Sequence, residues 1–166
     1  MSMSTSQMFY QNKSIKSGVS VKTPFLSIIG YVEEKMKRAE IRECVFKLLF
    51  CNEFHNKEDM PEQYRLFLDN IQEAGEEDSA YISSKVTDIA KQLEDIDKKV
   101  NEISVGWSTD RMSKTDLTII RLAYYEMNMD DDVPKKVAVD QAVELAKKYG
   151  SDESPAFING ILAKLF

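Results

Sequence analysis

Histidine and tryptophan occur once each, as His55 and Trp107, and cysteine only twice, as Cys44 and Cys51, in a chain of 166 residues. No cysteine or histidine cluster therefore reaches metal-ligand spacing. His55 lies in a polar stretch with no nucleophile in a recognisable motif beside it, so it reads as a surface residue rather than a catalytic base. The two cysteines stand seven residues apart. On one helix that is about 10.5 Å along the axis, too far for a disulfide, so both read as reduced, structural thiols of a cytoplasmic chain. With 6 glycines and 4 prolines, collagen-like and low-complexity classes are excluded. Gly18 and Gly30 make no phosphate loop. No apolar run approaches the roughly 20 residues of a membrane span. Positive charge is also short: 22 Lys and Arg against 28 Asp and Glu give a net −6. The field of the whole molecule repels nucleic acid, and any such contact must rest on a local patch or a partner.

Apolar residues make up 43% of the chain, enough for one domain with a proper core. Residues 1–35 stand apart. They are rich in Ser, Lys and Gln, show no helical apolar period, and are expected to form a disordered or loosely attached tail. Phe25-Leu26-Ser27-Ile28-Ile29 is too short for a signal-peptide core, and no cleavage-like site follows it. Val32-Glu33-Glu34-Lys35-Met36 can be encoded as GTG-GAG-GAA-AAA-ATG, a purine-rich ribosome-binding sequence before a start codon. Translation is therefore expected to begin at Met36, which makes 1–35 a non-native extension. That segment carries four lysines against two glutamates, which leaves −8 on residues 36–166.

From Met36 onward the apolar period is helical. Ile41, Cys44, Val45, Leu48 and Leu49 follow i, i+3, i+4, i+7, i+8, and this helix runs to about Phe54. Pro61 opens a second helix carrying Tyr64, Phe67, Leu68 and Ile71, which Ala74-Gly75 ends. A third stretch carries Ile82, Val86, Ile89 and Leu93, then Ile96, Val100 and Ile103, with a bend near Asp95. Ser113-Lys114-Thr115-Asp116 is a capping-box-like start for a helix with Leu117, Ile120, Ala123, Tyr124 and Met127. Asp130-Asp131-Asp132 reads as a solvated acidic turn, and Pro134 opens the next helix, closed by Gly150. Ser154-Pro155 opens the last one. Gly160 inside that helix costs about 1 kcal/mol relative to alanine, and close helix approach is its expected compensation. Trp107 and Tyr125 are expected in the core or at a subdomain junction.

The residues favour binding over catalysis. Lys37, Arg38 and Arg42 cluster at the start of the first helix, and Arg38 and Arg42 share a face. Glu40 and Glu43 interleave with them, so composition alone makes this a mixed-charge surface. Tyr149, Gly150 and Phe157 flank the last interhelical turn, where aromatics can stack on unpaired bases or belong to the core.

Arg121-Leu122-Ala123-Tyr124-Tyr125-Glu126, Val133-Pro134-Lys135-Lys136-Val137-Ala138-Val139, Gln141-Ala142-Val143-Glu144-Leu145-Ala146-Lys147 and Phe157-Ile158-Asn159-Gly160-Ile161-Leu162 follow one another in order. This series strongly resembles the bacterial transcription antitermination factor NusB family. Arg38-Ala39-Glu40-Ile41-Arg42-Glu43 and Trp107 with Arg111 fit the same pattern, over residues 36–166. The resemblance implies an all-α single domain of about seven helices in two packed helical subdomains. It implies a non-enzymatic factor that binds boxA RNA jointly with NusE, a small-subunit ribosomal protein. With the RNA polymerase antitermination complex, such a factor suppresses termination of ribosomal RNA transcription. It implies no cofactor.

Carried over motif by motif, the resemblance places Lys37, Arg38, Arg42, Phe50, Asp116, Tyr149, Glu153 and Phe157 on the RNA-facing side. Asp116 also reads as a helix cap. Both a monomer and a homodimer with a hidden basic surface are open. Two rivals are a helical protein-interaction module without an RNA role and the related helical domain of an RNA methyltransferase. No cofactor-binding region accompanies the latter reading here. The family often begins with a dense arginine run, which acidic residues interrupt in this chain. RNA affinity of the isolated protein is therefore expected to be weak. With three phosphate contacts its log affinity should fall with log salt at a slope of about −2, and NusE should supply the rest.

Overall fold

The computed structural model describes residues 35–55, 58–71, 75–104 and 106–165. The expected tail and leader, residues 1–34, lie outside the described residues. The described residues form seven α-helices and no strand: α1 Arg38–Cys51, α2 Met60–Asn70, α3 Glu76–Lys91, α4 Leu93–Ile103, α5 Lys114–Asn128, α6 Lys135–Tyr149 and α7 Ser154–Leu162. A single 3-10 turn, Thr109–Arg111, precedes α5.

Four of the helices begin on a local signal. The Glu40 carboxylate accepts from the Lys37 backbone N–H at 2.8 Å and so holds the first turn of α1. Ser113 Oγ accepts from the Asp116 N–H at 3.0 Å, capping α5. Pro61 and Pro155 sit in the first turns of α2 and α7, where a missing N–H costs nothing. α3 and α4 part at Gln92, slightly before the expected bend at Asp95. Gly75 does not end α2. Ile71 caps that helix, Gly75 stands before α3, and Ala74 lies outside the described residues.

Gly150 closes α6 as expected, its N–H donating to the Ala146 carbonyl, but the reason for glycine there differs: with φ −90° and ψ −172° it is extended backbone open to any residue and not a left-handed cap. Its cause is space. A Cβ there would lie 2.5 Å from Ser154 Cβ and 2.8 Å from the Ala146 carbonyl oxygen. Ser154, buried at the start of α7, uses its Oγ to accept from the Ser151 N–H at 2.9 Å, which draws α7 tightly against the end of α6. Gly160, by contrast, is exposed and nothing lies within 4 Å of a Cβ built on it, so the expected close helix approach is absent.

The core forms where the apolar faces meet. Leu48, Ile82, Ile89, Ile96, Ile119, Ile120, Leu122, Ile158 and Leu162 are fully buried. Each such side chain contributes on the order of 1.5–3 kcal/mol from burial. One half packs α1 against α3, with α4 behind; the other packs α6 against α5 and α7. α5 belongs to both, since it also contacts α1 and α4. Trp107 does not join this core: it is 52% exposed.

Candidate nucleic-acid interface

α1 positions most of the candidate residues. At its start Lys37 and Arg38 are exposed. Arg42, one turn further on, is not. It is 9% exposed, its Nε donates to both oxygens of Glu126 at 3.0 and 2.9 Å, and its Nη1 donates to Gln141 Oε1 at 3.3 Å. Lys85 Nζ donates to Glu126 and Asp130, both at 2.9 Å. The spacing does put Arg38 and Arg42 on one side of α1, but α3, α5 and α6 cover that side from the second turn on. Glu126 is 1% exposed, and a carboxylate buried so deeply is costly unless cations pair with it. Arg42 is its counterion and is not free to meet a phosphate. Asp130 is likewise drawn into the interior, so only Asp131 and Asp132 of the acidic turn face solvent. A cavity of about 210 Å³ lies above this network, lined among others by Met36, Arg38, Asp78, Tyr81 and Lys85.

Phe46 and Phe50 of α1 and Phe54, just past its end, recur every fourth residue and contact one another in turn, with ring centroids 6.1 and 5.0 Å apart. Phe54 is exposed and Phe50 half-buried. Phe46 also packs on Tyr149, centroids 5.0 Å apart, which joins the end of α6 to α1. The Tyr149 hydroxyl donates to Glu43. Lys47 and Lys148 approach the same carboxylate at 2.8 and 2.7 Å, and each ammonium lies over the Tyr149 ring, 5.9 and 5.4 Å from its centroid. Burial pushes the Glu43 carboxyl up, but hydrogen bonds from Lys148, Lys47 and Tyr149 outweigh it and hold the group at about 2.

Glu153 is exposed at the start of α7, and Phe157, four residues on, is half-buried. Phe157 packs edge-on against Trp107, centroids 5.5 Å apart. Asp116 is half-buried in the first turn of α5, and its Oδ1 is buried without a hydrogen-bond partner. That oxygen is closed to solvent and unused as an acceptor among the described residues. The first turn of α5 lies beside the end of α1, because Lys114 pairs with Glu53 at 2.7 Å and Arg121 bridges Glu53 and Asp97.

The fold thus brings Phe50 and Tyr149 together through Phe46, and sets Glu153 and Phe157 around the adjoining turn. Lys37 and Arg38 stand at one end of α1 and Asp116 by the other, about 20 Å away. Glu43, Lys47, Lys148 and Trp107 also belong to this surface, and sequence reasoning did not place them there. The Glu43–Lys47 spacing of four is the only signal that pointed to them. His55 is exposed; Cys44 is buried and Cys51 half-buried, and burial pushes both thiols up, away from reactivity.

The NusB family model matches residues 39–166. A transcription antitermination protein NusB of Agathobacter rectalis is 50% identical over 129 residues, covering 78% of this chain and 98% of that protein. Its counterpart in Clostridium novyi is 45% identical over 131 residues, again 78% of this chain and 98% of the relative. Among solved structures, T. maritima NusB superimposes with a TM-score of 0.70 at 32% identity, over 79% of this chain and 91% of that one. A crystal structure of antitermination factors NusB and NusE in complex with dsRNA contains a chain of the same fold. It has a TM-score of 0.66 and 20% identity over 77% of this chain and 96% of that one.

Proposed function

The chain belongs to the NusB family, and we propose that, as a transcription antitermination factor, it binds boxA-type RNA jointly with NusE. The bound pair joins the RNA polymerase antitermination complex and favours ribosomal RNA transcription. The main support is the set of candidate residues that the fold leaves accessible: the cations Lys37 and Arg38 at the start of α1, Phe50 joined to Tyr149 through Phe46, and Glu153 and Phe157 at the turn between α6 and α7. Cations, aromatic rings and carboxylates are the groups that recognition of unpaired RNA uses. The RNA-facing residues are Lys37, Arg38, Phe50, Asp116, Glu153 and Phe157, with Tyr149 packed beside them on Phe46. The buried Arg42–Glu126 pair shapes the start of α1 beneath them.

Binding, without a catalytic step, accounts for the surface. The protein acts in the cytoplasm; no helix of the described residues is long and apolar enough to cross a membrane. Residues 36–166 form the binding domain, and translation from Met36 fits its place in the fold: Met36 is buried and its backbone nitrogen lies 2.9 Å from the buried Asp78 carboxylate. The deciding experiment is a competition gel shift with boxA-like and scrambled RNA, with and without NusE. The boxA-like RNA should be preferred when NusE is present. Equal binding of the two RNAs in both conditions would overturn the reading in favour of a protein-interaction module.

A further inference from the structure

We propose that Lys47 and Lys148 form a two-lysine clamp for the RNA phosphate backbone, with Tyr149 as the positioning residue that holds them and Glu43 as their resting counterion.

The two lysines come from different helices, α1 and α6, and their ammonium groups converge on one carboxylate at 2.8 and 2.7 Å. Two like charges are thereby held side by side, and one carboxylate neutralises only one of them. The surplus positive charge sits on a domain whose net charge is −8. Both side chains remain accessible, 41% and 58% exposed, whereas Glu43 beneath them is 23% exposed. An incoming phosphate therefore meets the cations first and replaces part of what Glu43 supplies at rest.

Tyr149 cannot serve as an open stacking platform in this arrangement. Its ring packs on Phe46, its hydroxyl is tied to Glu43, and the two ammonium groups lie over it. What the ring does offer is a quadrupole that attracts both cations, which fixes two otherwise mobile side chains in one place. The clamp rests on the antitermination reading and deepens it. Arg42, turned into the interior, makes no phosphate contact; the clamp supplies one in its place and adds another. Lys37 and Arg38 alone predict a salt slope of about −1.4, whereas four contacts predict about −2.8 for single strands.

The test is RNA affinity over a salt series for the full chain, alone and with NusE, using single-stranded boxA-like and scrambled RNAs. Lys47→Gln with Lys148→Gln should flatten the slope by about 1.4 for both RNAs. Lys91→Gln with Lys99→Gln makes the same change in net charge on α3 and α4 and should leave the slope unchanged. Tyr149→Leu should flatten it as the lysine pair does, while Tyr149→Phe, which keeps the ring, should restore most of it. Melting curves check that each variant is folded. A Lys47/Lys148 slope equal to that of the control pair overturns the clamp alone, as does loss of NusE binding with the RNA slope intact. Absence of RNA binding by the wild-type chain with NusE overturns the antitermination reading and the clamp with it.

Discussion

Arg42 and Glu126 are 84 residues apart in sequence and meet through a two-pronged ion pair of 2.9 and 3.0 Å in the interior. Together with Lys85, Asp130 and Gln141 they tie α1 to α3, α5 and α6 around the Glu126 carboxylate, which is 1% exposed. A buried pair of this kind adds little when intact, since the ions were well solvated before folding, but removing one partner leaves the other stranded.

Arg42→Ala should therefore cost about 3–5 kcal/mol of stability, somewhat offset by Lys85, while leaving the salt dependence of RNA binding unaltered. Denaturant unfolding of the variant beside the wild type measures the first part. A stable variant with a flatter salt slope would return Arg42 to the RNA face.

Phe157 and Trp107 make an aromatic pair on the surface. If Phe157 stacks on a base, Phe157→Ala should weaken RNA binding by about 1–3 kcal/mol. Because the ring is only half-buried, its removal should cost less than the roughly 3 kcal/mol typical of a core phenylalanine. Trp107, the sole tryptophan, is a built-in probe. Its fluorescence should change as RNA is added with NusE, and a flat titration would place the pair away from the RNA.

Gly150 and Gly160 should respond in opposite directions to alanine. Gly150→Ala forces a methyl group to 2.5 Å from Ser154 Cβ and should destabilise by about 1–3 kcal/mol. Gly160→Ala adds a methyl group in open space and should stabilise by about 1 kcal/mol through helix propensity. Thermal melts of the two variants settle both signs.

Glu43 sets part of the acid limb of stability. Its carboxyl is held at about 2 in the folded chain against 4.5 in the unfolded one. The folded state thus binds fewer protons, and the stabilisation is complete above 4.5 and lost as pH falls towards 2. Glu43→Gln should flatten the stability profile in that window. An unchanged profile would mean that the two lysines and Tyr149 do not favour the charged form.

The N-terminus is decided by mass spectrometry of the protein from its native cells. Translation from Met36 predicts peptides beginning at that residue, and any peptide from residues 1–30 would overturn the assignment.

The helical stretches were legible in the sequence, with α3 and α4 read as one that bends, because a 3.6-residue apolar period, proline at helix starts and a serine cap are local signals. Each is carried by residues within one or two turns, and tertiary packing reinforced rather than overrode them. The charged residues were not legible in the same way. Arg38 and Arg42 look alike along the chain, yet one faces water and the other meets Glu126. Asp130 and Asp131 are neighbours with opposite fates, and the close approach expected at Gly160 is found at Gly150 instead. Which segments are helical, which faces are apolar and which family the chain resembles all follow from the order of residues alone. Which charges face the solvent and which aromatics carry a cation follow from the packing of the helices. Periodicity sets the direction of a side chain about its own helix axis, but what it meets there belongs to a helix many residues away.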